Sequence, residues 1–193
     1  MRIRVDLGRQ RLDSKTIAES NISCQPFVLP GTFNTVAWHN TAGALLNWFV
    51  DTRKLLRFCE RFGELQDAYY YVGKDSPPVP EQQAYLNALS HMGYSLVTKP
   101  IKTILDSSSG KFIQKANLDI EIVLDMFNTI ENYDIAVLVS GDGDFDRALR
   151  LLRARGKRFK VLASSHFVAS ELRDVAGMHL IELESLREEI EKL

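Results

Sequence analysis

The stretch DIAVLVSGDGDFDRALRLLRARGKRFKVLA (134–163) decides how this chain folds. Its first part, DIAVLVS (134–140), is a near-continuous apolar run, the pattern of a parallel strand buried on both faces. GDFDRALRLLRAR (143–155) then carries apolar residues at helical spacing, and Gly156 stands where such a helix stops. KRFKVLA (157–163) is strand-like again. Strand, helix and strand in this order form a βαβ unit, whose crossover is right-handed.

The same alternation extends to both sides. TRKLLRFCERF (52–62) places Leu55, Leu56, Phe58, Cys59 and Phe62 near helical spacing, before Gly63. QDAYYYVG (66–73) is predicted as a strand, KDSPPVP (74–80) as a loop and EQQAYLNALSHM (81–92) as a helix. YSLVTKP (94–100) is predicted as a strand and DSSSGK (106–111) as a turn. NLDIEIVLDMFNTI (117–130) is predicted as a helix, although its β-branched content also suits a strand. Downstream, SHFVASELRDVA (165–176) is expected as a helix, MHLIEL (178–183) as a strand and ESLREEIEKL (184–193) as a terminal helix. The fold class that follows is α/β, with a mostly parallel central sheet and helices on both faces. Ligands in such sheets bind beyond the carboxyl ends of the strands.

What lies beyond the strand 134–140 is Ser140-Gly141-Asp142-Gly143-Asp144-Phe145. Asp142 is expected at the strand mouth and Asp144 at or near the N-cap of the next helix. The glycines allow positive φ and a close approach of backbone to a ligand. Two carboxylates here can share a hard cation such as Mg²⁺ or Mn²⁺. An Asp at a helix start is as readily a plain cap, worth ~1 kcal/mol. Asp119 is the third candidate acid, near the start of 117–130. It too has a plain explanation, as an acid favoured by the helix dipole. Spacing alone does not bring Asp119 to Asp142.

Bulk properties narrow the function classes. The 193 residues are 45% hydrophobic and 25% charged, as in an ordinary globular domain. A net charge of −1 offers no global attraction for nucleic acid, so any such contact must be local. Cys24 and Cys59 form neither a disulfide framework nor a zinc pattern, which fits a reducing cytoplasm. No apolar stretch is long enough to span a bilayer. MRIRVDLGRQRLDSK (1–15) alternates charge with aliphatics and lacks a signal-peptide core.

The run VLVSGDGDFDRALRLLRARGKRFKVLA (137–163) resembles the signature of NYN domains, a PIN-like family, and its LabA-like branch in particular. KANLDIEIVLDMF (115–127) resembles the Lys–Asp motif that precedes it, and ASELRDVAGMHLIEL (169–183) the closing helix and strand. The resemblance runs through roughly residues 50–185. It implies a three-layer PIN-like, Rossmann-like fold and a ribonuclease that hydrolyses RNA phosphodiesters with Mg²⁺ or Mn²⁺. Carried over, Asp119, Asp142 and Asp144 would be the catalytic metal ligands, with Ser140, Lys115 and Asn40 in support. The implied substrate is single-stranded RNA, and a homo-oligomer is compatible with the pattern.

One part of the family pattern is broken. The first strand should end in a motif like IDGxN, whose Asp is a metal ligand. The best match here is Val36-Ala37-Trp38-His39-Asn40, with Ala37 where that Asp should stand. Three explanations are open. The domain has lost a ligand; another residue, Asp6 or His39, substitutes; or residues 1–49 are not the family's native N-terminus. The expected organisation is an atypical segment, poorly ordered or foreign to the family, over 1–49 and the NYN/PIN-like domain over 50–193. Asp51 is expected to cap the helix that follows it, not to bind metal.

Arg147, Arg150, Arg153, Arg155, Lys157, Arg158 and Lys160 form a local basic cluster. Arg147, Arg150 and Lys157 are candidate phosphate contacts; a solvated helix face explains the same residues. Tyr69-Tyr70-Tyr71 could stack on bases, though strand packing accounts for it more simply. GDGDFD (141–146) is also similar to a loop of haloacid dehalogenase-like phosphatases, but the DxDxT motif they require is absent. An EF-hand frame starting at Asp142 fails, with Arg147 at its sixth position and Arg153 at its twelfth. The competing class is a catalytically incomplete domain that binds RNA or protein and regulates.

Overall fold

The computed structural model describes residues 1–7, 48–75, 77, 80–105, 112–116 and 118–192. Six parallel strands form the central sheet: β1 (Arg2–Leu7), β2 (Glu64–Lys74), β3 (Ser95–Pro100), β6 (Ile135–Val139), β7 (Arg158–Ala163) and β8 (Leu180–Glu182). Their order is β3-β2-β1-β6-β7-β8. A two-stranded antiparallel ribbon, β4 (Lys102–Leu105) with β5 (Phe112–Lys115), stands apart from the sheet. The helices are α1 (Thr52–Cys59), α2 (Pro80–His91), α3 (Asp119–Asn128), α4 (Asp146–Ala154), α5 (Ser170–Ala176) and the short α6 (Arg187–Ile190). This is the expected three-layer α/β domain.

Each face of the sheet has its own core. Ile3, Val5 and Leu7 of β1 join Ile135, Val137 and Val139 of β6 on one face, under α1, α2 and α6. Ala136 and Leu138 face the other side, where Ile122 and Met126 of α3, Leu149 and Leu152 of α4 and Leu172 of α5 cover them. All five residues of β6 are buried because both faces are covered. In α4, Ala148, Leu149 and Leu152 point inward while Arg147 and Arg150 stay exposed. Burying a leucine of this kind contributes ~1.5–3 kcal/mol.

Helix ends follow their residue chemistry. The Asp51 side chain accepts hydrogen bonds from the backbone N–H groups of Arg53 (2.8 Å) and Lys54 (3.0 Å), the cap expected for α1. Gly156, at φ 73°, ends the α4 turn in the left-handed region that favours glycine. The expected long helix over 184–193 is instead a 3₁₀ turn at Leu183–Leu186 followed by one turn of α6. The helix expected from 165 begins only at Ser170. Among the described residues, no helix is long and apolar enough to cross a membrane.

The central strand comes from a segment that the sequence reading set apart. β1 pairs in parallel with β2 on one side and β6 on the other. Its period-2 alternation is visible in the sequence, but its polar positions are not solvent-facing. Arg4 and Asp6 are both fully buried. The strand order reverses direction between β1 and β6, so the crevice of this fold opens beyond Leu7 and Val139. Asn40, with Ala37 and His39, lies outside the described residues, as does the predicted turn 106–111.

Candidate metal centre

Beyond Val139 the chain leaves the sheet through Ser140, which is fully buried. Its Oγ accepts the backbone N–H of Asp142 at 3.2 Å, which fixes the turn. Asp142 has extended backbone (φ −76°, ψ 127°) and caps the 3₁₀ turn Gly143–Phe145. Its Oδ1 accepts the backbone N–H of Asp144 at 3.0 Å. Asp142 is thus the acid that caps the 3₁₀ turn, and Asp144 lies inside that turn, next to Phe145, the N-cap of α4, as expected. α4 itself starts at Asp146.

The two glycines of the motif do not use the positive φ that glycine allows. A Cβ on Gly141 would stand 2.6 Å from the carbonyl oxygen of Phe167. The loop from Ser164 to Ala169 presses against this turn, and the N–H of Ala169 donates to the Gly141 carbonyl at 2.9 Å. The close approach is thus to the chain's own backbone. Glu184 braces that loop: its carboxylate accepts from the Ser164 hydroxyl and from the Ser165 N–H at 3.0 Å.

Asp119 arrives from elsewhere. It is the first residue of α3, whose inner face packs on the sheet through Ile122 and Met126. The structure brings it to the turn: one carboxylate oxygen from each of Asp119, Asp142 and Asp144 lies within 4.8 Å of the others. Asp119 and Asp142 are half-buried and Asp144 is exposed, so the cluster is open to solvent on one side. The donor set is entirely carboxylate oxygen, which suits a hard divalent cation and not a thiophilic one. Three like charges this close favour a cation among them.

Asp6 is not part of this group. Its carboxylate is bonded to Arg4, with Nε at 2.9 and 3.0 Å and Nη2 at 2.7 Å. Burial pushes the Asp6 carboxyl up from its ordinary value, and the Arg4 fork opposes that shift. Among the described residues, Asp6 is thus held by Arg4 and stands outside the three-carboxylate group.

The basic candidates are placed unequally. Arg147 follows Asp144 by three residues and is exposed on the first turn of α4. Arg150 is farther along the helix and pairs with Asp146 at 3.3 Å. Lys157 precedes β7, at the sheet edge opposite the acids, and its Nζ donates to the Tyr133 carbonyl at 2.8 Å. Arg153 is likewise engaged, donating to the Val175 carbonyl at 2.9 Å. Lys115 ends β5, three residues before the N-cap of α3. Tyr70 and Tyr71 are buried in strand packing.

Sequence reasoning missed the polar cluster behind α3. Arg4, Asp6, Tyr71, Asp125 and Thr129 interlock there. The sequence signal was the strict alternation in IRVDL (3–7), which marks a strand without saying which face is wet.

Comparison with known proteins agrees with this architecture. The NYN domain is matched over residues 35–184. That span begins after β1, so the central strand observed here lies outside it. The chain is 43% identical over 148 residues to the low amplitude and bright protein LabA of Synechococcus elongatus, covering 75% of this chain and 78% of LabA. The fold resembles the crystal structure of a Vibrio parahaemolyticus protein of unknown function, with a TM-score of 0.68 at 18% identity, over 99% of this chain and 96% of that one. A family match across most of the chain, a close relative of the same kind and the expected parallel sheet together establish that this chain belongs to the NYN domain family, in its LabA-like branch.

Proposed function

We propose that this domain is a metal-dependent ribonuclease whose Mg²⁺ or Mn²⁺ is held by Asp119, Asp142 and Asp144. The observation that carries this reading is their convergence within 4.8 Å, from two separate elements, at the mouth of the topological crevice. When bound, such an ion stabilises the negative charge that develops on phosphoryl oxygens during hydrolysis.

The chain's own residues supply position and attraction. Ser140 and the Asp142 cap hold the turn rigid, so two carboxylates keep their spacing without ordering at the moment of binding. Asp119 rides on a helix packed against the sheet through Ile122 and Met126, which brings the third ligand to the turn. Arg147 is the basic side chain best placed to meet a phosphate beside the acids, and Arg150 extends that contact along α4. Single-stranded RNA suits an open, one-sided site in the cytoplasm.

One observation favours a second reading. Asp6, the acid nearest the end of the central strand, is consumed by Arg4. With three acids and no fourth in the described group, the domain would bind RNA or a protein partner without cleaving it. Incubating purified protein with labelled single-stranded RNA and Mn²⁺, beside an Asp142→Asn variant, separates the two. Cleavage by the parent alone is the expected result. Equal background from both, with RNA still retained, would establish the binding module instead.

A further inference from the structure

We propose that the buried network Arg4–Asp6–Tyr71–Asp125–Thr129 is the positioning device of the carboxylate centre: it locks α3 along its own axis and so sets where Asp119 stands. This rests on the reading above, that the three carboxylates bind a divalent cation.

The network joins three elements. Arg4 and Asp6 lie on β1, Tyr71 on β2, and Asp125 and Thr129 on and just after α3. The Tyr71 hydroxyl is 3.2 Å from Oδ2 of Asp125 and 3.3 Å from Oδ1 of Asp6, and accepts from Nη2 of Arg4 at 3.0 Å. Nη1 of Arg4 donates to the Thr129 hydroxyl, which itself donates to the Asp125 carbonyl at 2.9 Å. The Arg4 guanidinium also lies 4.0 Å above the Tyr69 ring, so its plane is held from a further side.

Stability alone does not account for such a network. A buried ion pair costs several kcal/mol per ion in desolvation, and well-packed apolar residues usually serve stability as well. Hydrogen bonds supply direction instead. The apolar contacts of Ile122 and Met126 hold α3 against the sheet, but burial is non-directional and permits sliding. The first turn of α3 has no side-chain cap, because its N-cap is Leu118. The Lys99–Glu121 pair near that end is half-exposed and contributes little. The polar attachments at Asp125 and Thr129 give the far half of the helix a directional, axial hold. Six residues separate Asp119 from Asp125, about 9 Å along a helix, so the network acts through α3 and touches no bound ion.

The test is Mn²⁺ affinity of the full chain by isothermal titration calorimetry, with thermal melting in EDTA alongside. Tyr71→Phe removes one hydroxyl, Thr129→Val removes another at nearly constant volume, and Thr129→Ser restores it. Tyr71→Phe and Thr129→Val are expected to bind Mn²⁺ about tenfold more weakly, and Thr129→Ser within about twofold of the parent. Should Tyr71→Phe fail to fold, the Thr129 pair decides by itself. A parent that binds Mn²⁺ alongside Tyr71→Phe and Thr129→Val variants of equal affinity, however lowered their melting, would make the network a simple structural tie and overturn the inference. A parent that binds no Mn²⁺ overturns the metal reading itself.

Discussion

The backbone N–H of Asp144 donates to Oδ1 of Asp142 at 3.0 Å, so one acid of the cluster orients the other. Asp142 consequently has two separable properties, a capping oxygen and a charge. Asn is as good a cap as Asp, whereas Ala loses ~1 kcal/mol. Asp142→Asn should melt close to the parent in EDTA but lose the upward shift that Mn²⁺ gives the parent, since only binding to the native state raises the melting temperature. Asp142→Ala should lose both. Scanning fluorimetry with and without Mn²⁺ reads the difference; an Asp142→Asn protein still stabilised by Mn²⁺ as strongly as the parent removes Asp142 from the ligand set.

Gly141 faces Phe167 too closely for any side chain, with a hypothetical Cβ at 2.6 Å from a backbone oxygen. Gly141→Ala must push apart the turn and the Ser164–Ala169 loop, at a cost of ~1–3 kcal/mol. Urea titration should show a lower midpoint with an unchanged slope. A midpoint equal to the parent's would mean that the two segments part freely.

Glu184 supports that same loop and makes it acid-sensitive. Burial would raise its pKa, but the hydrogen bonds from the Ser164 hydroxyl and the Ser165 N–H outweigh it and hold the carboxyl below its ordinary 4.5. A depressed folded pKa means stability that is present above the unfolded value and lost as pH falls through the folded one. Glu184→Gln should thus lower stability near neutrality while flattening its decline on acidification. Urea midpoints from about pH 6 down to about pH 3 test this, and parallel curves for the two proteins would exclude the carboxylate.

Cys59 is fully buried in α1, and burial pushes its thiol up to about 12. The thiolate is the reactive form, so the native protein should leave Cys59 unmodified by a maleimide at neutral pH. Peptide mapping after a native pulse and after a pulse in denaturant distinguishes this cysteine from Cys24. Rapid native labelling of the Cys59 peptide would show that α1 opens readily.

Much of the architecture was legible because its signals are local. The β6 run is apolar at every position, α4 carries its leucines three apart, and Gly156 follows the last turn. Asp51 was legible as a cap because the residues after it are helical whatever they pack against. The motif around Asp142 was legible too, since strand end, glycines and acids are consecutive in the chain. β4 and β5 were missed, for only the intervening turn residues 106–111 carried a strong signal.

β1 was missed for a different reason. Alternating Ile, Val and Leu with Arg and Asp describes a strand with one wet face, and such a strand belongs at an edge or under solvent. In the fold, Arg4 and Asp6 neutralise each other in the interior, which lets a half-charged strand occupy the centre of a parallel sheet. No pattern along the chain announces that compensation, because each residue's partner is what makes its burial tolerable.

By itself, the sequence determined most of the strand–helix alternation from α1 onward, apart from the β4–β5 ribbon, together with the end of the strand where Asp142 and Asp144 would stand and the kind of cation their oxygens suit. Tertiary structure alone decided that Asp119 joins them, that Asp6 does not, and that Lys157 lies at the far edge of the sheet. Periodicity and caps are set by interactions a few residues apart, whereas the meeting of Asp119 with Asp142 depends on how α3 is docked against the sheet. That docking rests on contacts between β1, β2 and α3 that are more than fifty residues apart in the chain, such as Tyr71 with Asp125.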